Sequence, residues 1–243
     1  NRSKLQLEYE SSFSDGFYLL AKGSYRYLNQ QDSLAKTHGE AYGKARLQKL
    51  WLQYSTQQCA YTLGRQTLVW GEVDGSFVVD VLTPFDLTEQ LFTDYGDLRK
   101  GEDMLVMDCF HGQQQSQLFY TPSANVHTFS HEQPHVETGQ EWGGRFKYSL
   151  ANLDVSLMLA HLYWNTPFFN LNEFEWKTES YRLAALGVSK AVGRLLIKLD
   201  VAHKTNQLDL VNLNRSDTWS MAIGGEYSTG DNQSFNMGFW QQE

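Results

Sequence analysis

KLQLEYESSFSDGFYLLAKGSYRY, residues 4–27, holds two arms of alternating apolar and polar residues with a tight turn near 11–15 between them. In the first arm, Leu5, Leu7 and Tyr9 alternate with charged and amide residues. Strict alternation of this kind is typical of a β-strand with one apolar and one polar face. We therefore predict that residues 4–27 form an antiparallel hairpin, and that its apolar face meets a different environment from its polar face.

The same pattern recurs about twelve times along the chain, and the strands are joined alternately by short and long connections. The short joins lie near 11–15, 55–58, 112–115, 150–154, 192–193 and 228–232, and the long ones at 29–41, 71–103, 121–139, 165–180 and 205–217. Short turns at one end and long loops at the other are typical of an outer-membrane β-barrel. We predict an all-β, transmembrane, antiparallel up-and-down barrel over residues 1–243 as a single domain. A soluble β-sandwich or jelly roll is the alternative.

Composition agrees with this fold and excludes other classes. The net charge is −8 and no run of Lys or Arg occurs, which argues against a nucleic-acid partner. Mean hydropathy is −0.48 and no apolar stretch of about 18 residues exists, so membrane-spanning helices are excluded. No signal peptide is recognisable, so we expect a mature or trimmed chain.

Aromatic residues gather near the predicted strand ends, as in the two girdles of a membrane barrel. The long-loop side has Tyr27, Tyr42, Trp70, Tyr120, Trp142, Tyr163, Trp164 and Trp219, and the short-turn side has Phe13, Trp51, Tyr54, Tyr148 and Tyr227. The first strand runs towards the short turns and the last runs away from them. Bacterial barrels usually have an even strand count and both ends in the periplasm, so we expect about 14 strands in the complete barrel. A short mature terminus or a misplaced first hairpin is the alternative.

Cys59 and Cys109 are the two cysteines of the chain. They lie at the far ends of two predicted strands, 59–70 and 103–111, which flank one long loop. Antiparallel pairing of Cys59 with Cys109 also pairs Tyr61 with Met107 on a shared apolar face. Because the periplasm and cell surface are oxidising, we predict a structural disulfide at the short-turn rim. Two buried free thiols are the alternative, since cross-strand geometry is tight for a disulfide.

The strand before the loop 71–103 carries a recognisable signature. Leu63-Gly-Arg-Gln-Thr-Leu-Val-Trp70-Gly-Glu-Val-Asp74 is followed by Asp80-Val-Leu-Thr-Pro84-Phe-Asp86. This order resembles the DUF1302-like and related porin-like barrel proteins of the proteobacterial outer membrane, although Gln48 and Lys49 stand where that family has Arg and Glu. The resemblance covers about residues 45–105. It implies a barrel and leaves the function open, because related barrels include porins and polysaccharide exporters.

The loop 71–103 is the strongest functional candidate because it is much longer than an ordinary connection. Its apolar residues, Phe77, Val79 and Phe85 among them, need burial, so we expect the loop to fold into the lumen as a constriction or plug. A cap over the barrel mouth is the alternative. Thr83 before Pro84 predicts the start of a short helix. The predicted constriction residues are the acidic side chains Glu72, Asp74, Asp80, Asp86 and Glu89.

The polar faces of the strands carry cations that would line the lumen. They are Lys22, Arg26, Lys44, Arg46, Arg145, Lys147, Lys198 and Lys204. An acidic loop facing a basic wall would create a transverse field, and Arg26, Arg46, Arg145 and Lys147 would guide anionic or polar solutes. Alternatively, salt bridges between wall and loop would fix a plug in place. We predict that Arg65 anchors the loop root through Glu72 or Asp74.

Metal, cofactor and catalytic sites are predicted to be absent. His127, His131 and His135 recur every fourth residue, but Pro134 disfavours the helix that would align them for a metal ion. His161 and His203 lie near strand ends without a nucleophile motif, and no phosphate-binding, nucleotide or haem motif is present. We therefore predict no enzyme, no metal and no cofactor.

The predicted function is a channel in the outer membrane of a Gram-negative bacterium that passes small polar or anionic solutes. An outer-membrane component of an envelope export or lipid-trafficking assembly is the second hypothesis; the DUF1302 resemblance links it to periplasmic and inner-membrane transport proteins. A structural or adhesive barrel that presents the aromatic loop 165–180 is the third. We expect lipopolysaccharide and outer-membrane lipid, the barrel assembly machinery and small solutes as partners.

Overall fold

A computed structural model describes residues 2–28, 42–88, 95–129, 135–170, 173–208, 215–229 and 234–242 of the chain. The strands are β1 (Arg2–Ser14), β2 (Phe17–Leu28), β3 (Tyr42–Ser55), β4 (Cys59–Gln66), β5 (Glu102–His111), β6 (Gln114–Thr121), β7 (Glu141–Leu150), β8 (Leu153–Tyr163), β9 (Phe168–Asn170), β10 (Glu175–Lys177), β11 (Ser180–Val192), β12 (Leu195–Leu208), β13 (Arg215–Ser228) and β14 (Ser234–Gln242). A short helix, α1 (Tyr95–Leu98), lies between β4 and β5. Within these residues, no helix has the length and apolar character needed to cross a membrane.

Twelve of the strands form one antiparallel sheet in which each strand pairs with its neighbour in sequence, from β1 to β14. The remaining two, β9 and β10, form a separate hairpin within the loop 165–180. The twelve predicted strands are confirmed, and so are the tight turns within the described residues; for example, Asp15 and Gly16 join β1 to β2. Most of the turn predicted at 228–232 lies outside the described residues. Pairs such as β1–β2 and β7–β8 follow directly from their short connections, because a tight turn can only join antiparallel neighbours.

Alternation gives the sheet two different faces. Leu7, Leu63 and Leu159 lie on the outer face and are 69%, 63% and 67% exposed, as residues in contact with lipid would be. Met158 and Leu162 lie on the opposite face of β8 and are buried. In the sequence the register of β8 is ambiguous, because both its faces are apolar. In the structure Met158 and Leu162 face inward, where they pack in one cluster with buried residues of the segment between β4 and β5.

One irregularity in β3 preserves the polar face. Lys22 pairs with Lys49, but the next residue, Gly23, pairs with Leu47, so Gln48 is an extra residue on β3. In the sequence of β3, the alternation of apolar and polar residues changes phase near 49–50, next to this β-bulge. Because of the bulge, Arg46 and Lys49 lie on the same inner face although they are three residues apart.

Residues 67–88 and 95–101, between β4 and β5, lie against the inner face of the sheet, and we call them the inserted loop. The Asp97 carboxylate lies 2.5 Å from Lys4 Nζ on β1. At its other end, Val73 Cγ1 is 3.1 Å from where a Cβ on Gly224 of β13 would stand, and 3.9 Å from the same point on Gly238 of β14. Because neighbouring strands are about 4.8 Å apart, one segment can reach both edge strands only if the sheet curls around it. The inward fold of the loop is confirmed, and the cap over the mouth is wrong.

Aromatic residues of the outer face lie near both ends of the strands. Trp142 and Trp219 lie on the long-loop side, and Tyr54 and Tyr227 on the short-turn side; all four are exposed. Three predicted girdle residues do not belong there. Trp164 follows the end of β8 and packs against the buried cluster inside the sheet. Trp70 is completely buried, because β4 ends at Gln66 and the chain turns inward before residue 70. Trp51 pairs with Leu20 on the inner face and packs against the Tyr18 ring at 5.5 Å, because the bulge at Gln48 shifts its phase.

Cys59 and Cys109 occupy directly paired positions on β4 and β5 and form a disulfide. The pairs Tyr61–Met107 and Leu63–Leu105 continue the same register on the outer face. The predicted pairing is confirmed. The bond closes a chain segment of 50 residues, the one that contains the inserted loop.

We expect replacement of both cysteines by serine to lower the free energy of unfolding by about 2 kcal/mol, because the uncrosslinked chain gains loop entropy when it unfolds. Urea unfolding of the refolded protein in lipid vesicles, followed by tryptophan fluorescence, measures the difference. The wild-type protein under reducing conditions is the matched control and should behave as the double variant does. Equal midpoints for the oxidised wild type and the variant would contradict a stabilising role.

Candidate functional site

The inserted loop begins at a carboxylate anchor on the wall. Asp200 lies on the inner face of β12 and is 1% exposed. Its two carboxylate oxygens accept hydrogen bonds from the backbone N–H of Glu72, at 3.0 and 2.9 Å, and Oδ2 also accepts one from Val73 at 2.9 Å. Gly71 turns the chain into this position with a φ of +104°, which L side chains rarely adopt. Asp200 therefore fixes the point at which the chain enters the lumen.

The wall around this anchor consists of small residues, which let the loop backbone approach closely. A Cβ on Gly187 would stand 2.5 Å from Ser156 Oγ and 3.1 Å from Glu72 Cγ. Beyond the anchor, the buried loop residues and the buried wall residues form one apolar cluster. Its loop members include Leu68, Trp70, Val73, Val79 and Leu82, and its wall members include Met158, Leu162, Leu183, Ala202 and Ala222.

Two internal ties hold the loop in shape. The Thr83 hydroxyl donates to the Leu68 carbonyl at 2.7 Å and accepts from the Leu68 N–H at 3.0 Å. The predicted helix start at Thr83 is therefore wrong. Its hydroxyl links two segments of the loop, around residues 68 and 83, instead of capping a helix. Arg99 donates two hydrogen bonds to the Asp80 carboxylate and stacks over the Phe85 ring at 4.8 Å. Burial raises the pKa of Asp80, and the Arg99 guanidinium opposes that rise.

Acidic residues of the loop contact the cations of the wall. Glu72 lies 3.6 Å from Lys147, Asp74 2.5 Å from Lys198, and Asp86 3.3 Å from Lys44 and 3.7 Å from Arg46. Arg46 also donates to the backbone carbonyls of Asp97 and Arg99, at 3.1 and 2.7 Å. These contacts match the alternative of a salt-bridged loop, and they use several of the cations that were predicted to guide solutes.

Two carboxylates of the inserted loop, Asp86 and Asp97, keep their charge in spite of burial. Burial raises the pKa of Asp86, but hydrogen bonds from Thr88 and the charges of Lys44 and Arg46 outweigh it, so the pKa lies below its ordinary value. The pKa of Asp97 is also lowered, because Lys4, Lys22 and Gln48 more than offset burial. Both groups are therefore anionic at neutral pH and hold the loop against β1 and β3.

The other predicted site residues lie where the register places them. Lys22 is on the inner face, 3.4 Å from Glu8. Arg26 lies opposite Lys4 of β1 and Lys44 of β3 in the strand register and shares their inner face. Arg145 lies opposite Gln117 of β6 and Met158 of β8, also on the inner face. Glu89 lies outside the described residues.

The predicted partners of Arg65 are wrong. Arg65 donates two hydrogen bonds to Asp103, at 3.0 and 2.7 Å, and both lie on the outer face with Leu63 and Leu105. Glu72 and Asp74 turn inward and cannot meet it. Arg65 still lies at the loop root, because its side chain lies beside Gly101, where a Cβ would stand 2.6 Å from Arg65 Cγ.

His127, in the loop 121–139, has a structural role. His127 Nδ1 accepts a hydrogen bond from the Phe85 N–H at 2.9 Å. Burial, with a smaller contribution from Lys100, lowers the pKa of His127 to about 4, so the ring is neutral at pH 7. His131 lies outside the described residues. Over the described part of the chain, no group of three or more His, Cys, Asp or Glu could hold a metal ion.

Sequence reasoning missed four residues of this site: Lys4, Asp97, Asp200 and Gln117. Gln117 accepts a hydrogen bond from Trp70 Nε1 at 2.7 Å and thereby positions the buried indole. Asp200 could have been recognised as a candidate, because it is a carboxylate at an inner-facing position of β12, two residues before Ala202. The polar face of a barrel tolerates any polar residue, however, so the alternation alone could not assign a partner to it.

A cavity of about 500 Å³ lies between the loop and the wall of β1–β3, and we call it the cationic gap. It is lined by Lys4, Gln6, Lys22, Gln48, Lys49, Thr67, Gly96, Asp97 and Arg99. Four of these residues are cationic and one is anionic. The inserted loop thus packs tightly against the small residues of the wall around Ser156 and Gly187, which we call the small-residue wall, and leaves a cavity next to β1–β3.

The fold has solved counterparts among outer-membrane porins and channels. The channel DcaP of Acinetobacter baumannii aligns with a TM-score of 0.57 at 12% identity, over 99% of this chain and 66% of that one. Salmonella typhi OmpF gives 0.58 at 12% over 99% and 71%, and an anion-selective porin from Comamonas acidovorans gives 0.57 at 13% over 98% and 67%. The chain therefore has the fold of a porin barrel and spans about two thirds of these proteins. No family model and no curated protein matches the sequence, so the DUF1302 resemblance stays a prediction.

Proposed function

We propose that this chain forms a porin-like channel in the outer membrane of a Gram-negative bacterium, and that its solute path runs through the cationic gap. The exposed apolar outer face, the aromatic residues at both strand ends and the porin fold support the membrane location. The inserted loop supports the channel, because it narrows the lumen without filling the side next to β1–β3.

The lining of the cationic gap carries the proposal that anions pass preferentially. The lining holds Lys4, Lys22, Lys49 and Arg99 and one carboxylate, Asp97, which is bound to Lys4. Arg99 is also bound to Asp80 and Lys22 lies 3.4 Å from Glu8, so the cations exceed their carboxylate partners by one. Low-dielectric walls concentrate the field of such a cluster and raise the local concentration of anions. Arg26 faces the same side on β2 and fits this path. Lys147 is bound to Glu72 and Asp154, so we assign it to the seat of the loop.

Single-channel recording of the refolded full chain in a planar bilayer under a salt gradient tests the proposal. We expect steady conductance and a reversal potential that indicates anion preference, because the gap concentrates anions. Steady conductance with cation preference would overturn the assignment of the path. A bilayer that stays silent would overturn the open channel.

A plugged barrel in an envelope export or lipid-trafficking assembly is the second candidate, and the density of loop contacts favours it. Five side chains of the wall, on β1, β3, β7 and β12, bind loop carboxylates, and Asp200 binds the loop backbone. In that case the bilayer would stay silent until the loop is released. Lipopolysaccharide and the barrel assembly machinery remain proposed partners in either case.

A further inference from the structure

A second cavity, of about 430 Å³, lies between the inserted loop and the wall of β11 and β12, at the long-loop end. We call it the aromatic pocket. Its lining is mostly apolar and includes Phe77, Phe85, Phe129, Trp164 and Tyr181 around the side chain of Lys204. Small-molecule sites in proteins commonly have this size and this combination of aromatic walls and one charged group.

Lys204 is the unusual member of the lining. It lies on the inner face of β12, four residues beyond the anchor Asp200, and is only 7% exposed. Among the described residues, no carboxylate lies within 4.0 Å of its ammonium group. Buried ammonium groups in proteins are normally paired, because removing the charge from water is unfavourable. An anionic ligand in the pocket would supply the missing partner.

The other titratable groups of the lining do not cancel this charge. Asp80 also faces the cavity, but the Arg99 guanidinium binds its carboxylate through two hydrogen bonds. The His127 ring is neutral because its Nδ1 accepts the Phe85 N–H. The Asp80–Arg99 pair sums to zero, so the pocket as a whole carries one positive charge at neutral pH. Its complement is a ligand with one negative charge.

The rings of the lining define the shape of the ligand body. Phe77 and Phe85 meet edge to face with centroids 5.8 Å apart, and Trp164 and Tyr181 meet at 6.2 Å on the other side. Asn165 donates to the Val81 carbonyl at 2.6 Å, which ties this second group of rings to the loop. Flat aromatic bodies pack favourably against such edges and faces.

We propose that the aromatic pocket binds a small molecule with a flat aromatic body and a single carboxylate, which pairs with Lys204. Such a site lies beside the loop and is separated from the cationic gap by the Asp80–Arg99 pair. Binding there does not require conduction, so the inference goes beyond the proposed function and is measured separately from it.

Isothermal titration of the refolded full chain in lipid nanodiscs tests the proposal with 2-naphthoate and its uncharged analogue 2-naphthamide. We expect wild type to bind the naphthoate at least tenfold more tightly than the amide. Lys204→Met keeps the length and apolar stem of the side chain and should reduce naphthoate affinity to that of the amide. Lys190→Met, at an exposed position of β11 outside the pocket, is the matched control and should bind as wild type does.

Equal affinity of wild type for the two compounds, or undiminished naphthoate binding by Lys204→Met, would overturn the proposal. Octanoate binding as tightly as naphthoate would overturn the aromatic body. If Lys204→Met does not fold, Thr166→Trp replaces it; this exposed residue of the lining would then fill the pocket, and both naphthyl compounds should bind more weakly. A protein that binds naphthoate but is silent in bilayers would support the pocket and reject the channel.

Discussion

Replacement of Asp200 by Ala is expected to raise the single-channel conductance severalfold, because it removes the anchor of the inserted loop. The Asp200 carboxylate accepts hydrogen bonds from two backbone N–H groups in a site that is almost fully buried. A hydrogen bond to a charged group contributes about 1.5–3 kcal/mol, and each N–H left buried without a partner adds a further penalty. A loss on the order of 3 kcal/mol shifts the balance between docked and released loop by about 100-fold.

Release of the loop has a second readout that does not depend on conduction. Arg99 and Lys100 lie in the loop, so trypsin should cut the Asp200→Ala protein there faster than the wild type. Asp154→Ala is the matched control, because Asp154 lies on the inner face of the neighbouring wall but contacts the Lys147 side chain and not the loop backbone. Asp200→Asn keeps an acceptor and should be intermediate. Unchanged conductance together with unchanged cleavage in Asp200→Ala would reject the anchor.

The fold was predictable because apolar and polar residues alternate with a period of two along the strands. Leu5, Leu7 and Tyr9 fix one face, and a shift of one residue would place charges in lipid, so the register has one acceptable solution. The disulfide followed from the same logic, since pairing Cys59 with Cys109 also aligned the apolar faces of both strands. Likewise, the apolar residues of the loop 71–103 required burial, which favoured an inward fold over the alternative of a cap over the barrel mouth.

The partners of the charged residues were less predictable, because they depend on where the chain leaves its strand. Arg65 pairs with Asp103 since both belong to the outer face of one hairpin, whereas Glu72 lies beyond the inward turn. The same turn removes Trp70 from the girdle. Alternation assigns a residue to a face but gives no position along the barrel axis. Lys4 and Asp97, separated by 93 residues, therefore meet without any local pattern that indicates it.

Simultaneous replacement of Lys22 and Lys49 by Glu is expected to change the channel from anion-preferring to cation-preferring. The two lysines are directly paired on β2 and β3 and both line the cationic gap. The double change replaces two of its four cations by anions and makes the lining net acidic. Because low-dielectric walls focus the field, we expect the ratio of anion to cation permeability to fall by about tenfold or more.

The salt dependence of this effect and a matched control determine whether it arises at the gap. The screening length is about 10 Å at 0.1 M salt and about 3 Å at 1 M, so the change in selectivity should be large at 0.1 M and smaller at 1 M. Lys190→Glu with Arg194→Glu makes the same change in net charge at exposed positions near the β11–β12 turn, and should leave selectivity nearly unchanged. If both double variants shift selectivity equally, overall charge and not the gap controls it. If neither does, solutes pass elsewhere, and the loop would have to move away from the small-residue wall to admit them.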